Sequence, residues 1–204
     1  VNGPAYRIVT ARLVLRCWSP ADAPLLQAVV DGNLAHLSEL PWSRAERQSL
    51  EEKITLLRKF RASFDTDADY PYGVFDRTES RVLGAAGLHL RIGDGAREIG
   101  YWIDAAHTRQ GLATEAAAAL TRVGFEIEGV RRVEIHCGPA NAASIGVARK
   151  LGFAHEATLR GRFTDVRGNP RDTMLFSLFA DGYAASPATK TSLEAFDAAG
   201  RRLL

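Results

Sequence analysis

The chain has 204 residues, 46% of them hydrophobic, and sets 26 basic against 24 acidic side chains for a net charge of +2. That length supports one substantial core, and the scattered, nearly balanced charge argues against a dedicated nucleic-acid surface and against polybasic membrane attachment. Its two cysteines, Cys17 and Cys137, have neither metal-ligand nor C-x-x-C spacing, so they read as buried free thiols and no metal is expected. No apolar run approaches the roughly 18 residues that cross a bilayer, and the first twenty residues alternate like a strand instead of forming a signal peptide. The expectation is a soluble cytoplasmic protein whose partner is a small or local anionic ligand.

In chain order, Arg12-Leu13-Val14-Leu15-Arg16 alternates with period two and predicts a strand, after which Ser19-Pro20 starts a helix to about Asp31. A second helix is expected over Arg44 to Phe64, with Ser43 as N-cap and Leu50, Ile54, Leu57 and Phe60 at helical spacing. Three strands follow, Tyr72 to Asp76, Val82 to Arg91 and Glu98 to Asp104, and their short turns make an antiparallel meander the economical arrangement. A helix from Leu112 to Glu128 stops at Gly129, and a strand covers Arg132 to Cys137. Asn141 then caps a helix ending at Gly152, and strands near Glu156 to Arg160 and Thr173 to Phe179 complete the pattern. The prediction is an α/β, or mixed α+β, fold with helices on both faces of one sheet. Residues 1–180 form a single domain in this reading, and 181–204 an alanine-rich tail with partial order.

Arg109-Gln110-Gly111-Leu112-Ala113-Thr114-Glu115 places a glycine at the mouth of a long helix, directly after a strand. First-turn N–H groups have no intrahelical partners and the helix dipole is positive there, so the segment can hold a pyrophosphate largely by main chain. An ordinary strand-to-helix turn gives the same pattern. The Gly-Lys-Ser/Thr ending of a P-loop and the three-glycine dinucleotide fingerprint are both missing, which disfavours nucleotide hydrolysis and hydride transfer.

Taken together, Glu98-Ile99-Gly100-Tyr101-Trp102-Ile103, Arg109 to Ala116, Asn141-Ala142-Ala143-Ser144 and Lys150-Leu151-Gly152-Phe153 resemble the GNAT superfamily of acyl-CoA N-acyltransferases. The opening Thr10 to Arg16 with Asp22 is similar to the branch holding the ribosomal-protein N-terminal (RimJ/RimL-type) acetyltransferases. The resemblance covers roughly Thr10 to Leu178. It implies a splayed, mostly antiparallel central sheet that holds acetyl-CoA between the strand ending near Ile103 and the strand Val133 to Cys137. The main chain of Tyr101, Trp102 and Ile103 would pair with the pantetheine, and an N–H there would face the thioester oxygen. Thr108, Arg109, Gln110, Gly111, Leu112, Ala113 and Thr114 would cradle the pyrophosphate, with Asn141, Ser144 and Lys150 completing the cofactor site. Thr108 departs from the Gln or Arg common at the head of that motif.

Many superfamily members protonate the departing thiolate with a tyrosine seven residues after the asparagine, a position that is Ala148 here. In the resembled branch a serine three residues after it lies near the sulfur, which makes Ser144 the candidate donor. Glu98 and Glu156 are the candidate bases by the same resemblance, and either is also an ordinary surface or salt-bridge residue. Trp42 and His89 are assigned to the acceptor side, which would be built from His36 to Trp42 and Phe60 to Tyr72, and His136 is a further histidine that could border the acyl site. Asp65, Asp67 and Asp69 start like a calcium loop, but Tyr70 occupies the required glycine, so they read as a solvated loop.

An α-amine with pKa near ~7.8 costs about 1 kcal/mol to deprotonate at pH 7, against about 4.6 kcal/mol for a lysine at ~10.4. Two uncertain carboxylate bases therefore fit an α-amine better than a lysine side chain. The sequence reading is an acetyl-CoA-dependent N-acetyltransferase acting on a peptide or protein N-terminus, with small amines (amino acid, polyamine or aminoglycoside) as the alternative acceptors. A non-catalytic acyl-CoA sensor is the alternative from another class. Homodimers are frequent in the resembled family, and the sequence leaves this chain's oligomeric state open.

Overall fold

The computed structural model describes residues 4–38, 40, 46–165 and 167–204. Its strands are β1 (Arg7–Thr10), β2 (Leu13–Cys17), β3 (Tyr70–Asp76), β4 (Val82–His89), β5 (Ala96–Ile103), β6 (Arg132–Cys137), β7 (Ala154–Thr164), β8 (Pro170–Phe179) and β9 (Leu193–Phe196). They form one sheet in the order β7-β8-β6-β5-β4-β3-β2-β1-β9. Every neighbouring pair is antiparallel except β5 and β6, which run parallel. The helices are α1 (Ala23–Gly32), α2 (Leu34–Leu37), α3 (Leu50–Asp65), α4 (Leu112–Arg122), α5 (Ala142–Lys150) and α6 (Ala180–Tyr183).

The two faces of the sheet carry different cores. On one face, α4 and α5 pack over Ile99, Ile103, Val133 and Ile135. Ala116 to Ala119 are essentially inaccessible, so the best helix-forming residue also lets α4 lie close against the strands. On the other face, α1 and α3 bury Leu26 and Leu57 against Val14, Trp18 and Phe75. The mixed α/β architecture with helices on both faces is thus the observed one.

Several boundaries differ from the sequence reading for identifiable reasons. The second helix starts at Leu50, not Arg44, because the Ser49 side chain accepts from the Glu52 N–H while Glu52 reaches back to the Ser49 N–H, a reciprocal cap that fixes a helix start. Ser43, the expected cap, lies outside the described residues. After Arg122 the next helix loosens into a π turn over Val123–Ile127. Residues 181–204 contribute a 3₁₀ turn, Pro187–Lys190, and the edge strand β9, which pairs with β1 from Arg7↔Phe196 to Thr10↔Leu193. This segment covers an edge that β1 would otherwise present to solvent.

Candidate active site

The site begins where two parallel strands part. β5 and β6 pair only over Ala96↔Arg132, Arg97↔Val133 and Glu98↔Glu134, although β5 continues to Ile103 and β6 to Cys137. Along β5 the pairing with β4 persists to Ile103, and the Asp104 N–H donates to the Leu83 carbonyl at 2.8 Å. By strand alternation, Trp102 and Gly100 also turn their peptide groups toward β4, while Tyr101 and Ile103 turn theirs into the gap. An extended ligand arm could pair there as an added strand.

Tyr101 adds a side-chain signal that sequence reasoning missed. Its phenol oxygen is buried and has no hydrogen-bond partner among the described residues. Burial pushes the phenol well above its ordinary value, Cys137 adds to the rise, and the Ser144 hydroxyl beside it opposes the rise without closing a full hydrogen bond. Burial also raises the Cys137 thiol, which keeps it protonated and a poor nucleophile. Ser144 itself is half-buried in the first turn of α5, and its N–H is capped by the Asn141 side chain at 3.0 Å. Tyr101, Cys137 and Ser144 therefore gather on the α4–α5 face, beside the gap.

The helix mouth supplies an anion cradle. Asp104 caps a 3₁₀ turn, Ala105–His107, and is held by Asn33 and His107 at 2.8 Å each. Thr108 closes that turn through its hydroxyl to the Ala105 carbonyl, and Gln110 bonds the Ala106 carbonyl. Arg109 and Gly111 then adopt φ of 60° and 81°, and α4 starts without a side-chain cap. The N–H groups of Leu112, Ala113 and Thr114 are consequently available to a phosphate. A Cβ on Gly111 would lie 3.4 Å from the Arg12 guanidinium, which itself is fixed by Glu115 and the Gln110 carbonyl. Lys150 lines an open cavity of about 470 Å³ with Arg12, Gly111 and Thr114, and Pro187 and Thr191 of the C-terminal segment border it. The uncapped helix mouth and the orphaned phenol both fit a coenzyme A thioester.

The opposite face holds the charges. His89, Glu98, Glu134 and Ser177 are successive register partners across β4, β5, β6 and β8, and they form the last rung before β5 and β6 part. Glu98 is gripped by Arg91 at 2.5 and 2.8 Å and lies 3.6 Å from His136 Nδ1, whose Nε2 meets Glu134 at 2.7 Å. Burial works to raise the Glu98 carboxyl, but Arg91 and the charge of His136 outweigh it and hold it below the ordinary value. Glu156 occupies a β-bulge between His155 and Ala157 and accepts from Ser177 at 2.8 Å. The two candidate glutamates thus share one face, and Ser144 stands on the other. Asp69, read in sequence as part of a solvated loop, is half-buried and bonds His89 Nδ1 at 2.8 Å. Trp42 lies outside the described residues.

Residues 12–154 of the chain match the acetyltransferase (GNAT) domain. The chain belongs to the GNAT acetyltransferase family. A GNAT-family structure from Chromobacterium violaceum is 30% identical, covers 90% of this chain and 91% of its own, and superposes with a TM-score of 0.75. A Vibrio cholerae structure provisionally assigned as a ribosomal-protein-serine acetyltransferase is 29% identical over 87% of this chain and 99% of its own, with a TM-score of 0.71. The uncharacterized N-acetyltransferase YoaA of Bacillus subtilis is 28% identical over 83% of this chain and 94% of its own. The GNAT fold supports acetyl-CoA as cosubstrate. Among the described residues no cluster of three or more His, Cys, Asp or Glu is arranged to hold a metal, and no helix is long and apolar enough to cross a membrane.

Proposed function

We propose that this protein transfers an acetyl group from acetyl-CoA directly to a primary amine, and that its acceptor is a protein or peptide N-terminal α-amine. The parting of β5 from β6 beside Ser144 is the observation that carries this reading. Acetyl-CoA supplies the activated thioester. The main chain of Tyr101 and Ile103 pairs with the pantetheine arm and offers an N–H to the carbonyl oxygen, where negative charge develops. Thr108 to Thr114 hold the pyrophosphate, Asn141 adds an amide contact while capping α5, and Lys150 contributes positive charge to the cavity beside Gly111. Ser144 donates toward the departing sulfur, the role left open by Ala148.

The acceptor assignment draws on the likeness to the Vibrio cholerae structure. An α-amine asks little of a base, about 1 kcal/mol at pH 7. The test measures release of free coenzyme A thiol from acetyl-CoA with two acceptor pools, short peptides with free N-termini and small amines including aminoglycosides. Turnover with peptides alone is expected. Turnover with small amines alone overturns the acceptor assignment, and tight coenzyme A binding without thiol release in either pool overturns the enzyme.

A further inference from the structure

We infer, resting on that acetyltransferase reading, that His89 oriented by Asp69 is the group that takes the proton from the acceptor amine. Asp69 Oδ2 meets His89 Nδ1 at 2.8 Å, and Asp69 Oδ1 accepts the Leu90 N–H at 3.3 Å. Both carboxylate oxygens are therefore engaged and the imidazole is fixed in direction. Its second nitrogen, Nε2, makes no hydrogen bond among the described residues. The side chain keeps 20% exposure, enough to meet a substrate without being free in solvent.

Two glycines set where that nitrogen points. Gly87 and Gly100 are register partners on β4 and β5, and a Cβ on Gly87 would lie 2.3 Å from His89 Nε2, one on Gly100 3.2 Å from it. The ring lies over this glycine pair, so Nε2 reaches the level of Gly100, one residue from Tyr101 and past the last β5–β6 rung. Any side chain at Gly87 would expel it. An imidazole aligned through Nδ1 by a carboxylate, with Nε2 turned to the reacting centre, is the arrangement a general base requires.

The competing groups are occupied. Both Glu98 oxygens bond Arg91, both nitrogens of His136 face carboxylates, and Glu156 accepts from Ser177. His107 also has an aspartate, Asp104, but lies beyond the end of β5 in the turn leading to α4. In the step itself the amine nitrogen forms its bond to the acetyl carbon as the carbon–sulfur bond breaks. The amine proton passes to His89 Nε2 and then to solvent, and the thiolate is protonated from the Ser144 side.

The experiment follows kcat/KM against pH for the parent, His89→Gln and Asp69→Asn on whichever acceptor pool turns over, with acetyl-CoA affinity measured in parallel. The charged and titratable groups facing His89 are Asp69 before β3, Glu98 on β5 and, around Glu98, Arg91 and His136. His89→Gln is expected to lower kcat/KM about 100-fold at neutral pH, to remove one ionisation from the profile, and to leave acetyl-CoA affinity unchanged. Asp69→Asn is expected to lose less, since the imidazole keeps Nε2 but loses the carboxylate that aims it. The Asp69→Asn rate loss keeps the idea testable should His89→Gln fail to fold. Near-parental kcat/KM in both variants overturns the assignment while leaving the acetyltransferase intact. A parent that releases no thiol with any amine overturns both.

Discussion

Where β5 leaves β6, the two faces of the sheet are built from opposite chemistries. The α4–α5 face offers peptide N–H groups, the Tyr101 phenol, the Ser144 hydroxyl and a protonated Cys137, all uncharged. The other face offers Asp69, His89, Glu98, Glu134 and His136, with Arg91 and Arg132 gripping the glutamates. Acyl transfer divides along the same line. A thiolate leaving group and a carbonyl oxygen need donors without competing anions, whereas a cationic amine needs carboxylates and a base. The strand alternation that sends Tyr101 one way and Glu98 the other separates these requirements by the thickness of a sheet.

Removing the donor on the neutral face is the largest test of that division. Ser144→Ala is expected to lower kcat about 100-fold, or about 2.7 kcal/mol, because thiolate departure loses its proton source. Acetyl-CoA affinity should stay near that of the parent, since the Ser144 N–H, and not its hydroxyl, completes the Asn141 cap. Steady-state kinetics with direct titration of coenzyme A separate the two quantities. Equal turnover by the variant ends the assignment of Ser144.

The charged face is tested next through stability. Glu98→Gln keeps the shape of the side chain but removes the charge that Arg91 and His136 address, and a loss of about 2 kcal/mol is expected by denaturant titration. Arg91 is 60% exposed, so water recovers part of its solvation. The sign of the pH dependence follows from the lowered Glu98 and Asp69 carboxyls. Their stabilisation is complete above the ordinary values of 4.5 and 3.8 and disappears as pH falls through the lowered ones. Glu128 runs the other way, because burial raises it in spite of Arg97, and its protonation in acid favours the folded state. Acid unfolding of Glu98→Gln should accordingly be shallower than that of the parent, and an equal slope would place the acid sensitivity elsewhere.

The neutral face was the more legible in sequence. A glycine before a helix, an asparagine three residues before a serine and an apolar strand are local patterns, and backbone geometry follows from them directly. The charged face depends on register. Asp69, His89, Glu98 and Glu134 are scattered through the sequence and become neighbours only because β4 and β5 pair at His89↔Glu98 and β5 and β6 at Glu98↔Glu134. Nothing local announces that Asp69 turns inward, although the meander of three strands was itself predictable. The reciprocal Ser49–Glu52 cap was present as a Ser-x-x-Glu motif and would have corrected the helix start. The Tyr101 phenol left no signal, because a tyrosine in an apolar strand is ordinary core.

That phenol gives the smallest and sharpest test. In the chain as described it is a buried hydroxyl with no partner, and such a group costs folding free energy until something accepts or donates to it. Tyr101→Phe removes the hydroxyl and keeps the ring in its place beneath α5. If the hydroxyl has no part in the chemistry, the variant gains stability and keeps its rate. If it serves the chemistry beside Ser144, the thermal midpoint rises or holds while kcat falls by about fivefold, the worth of roughly 1 kcal/mol of neutral hydrogen bonding. A stability gain paired with a rate loss is the outcome expected of a buried hydroxyl whose partner is the reacting group.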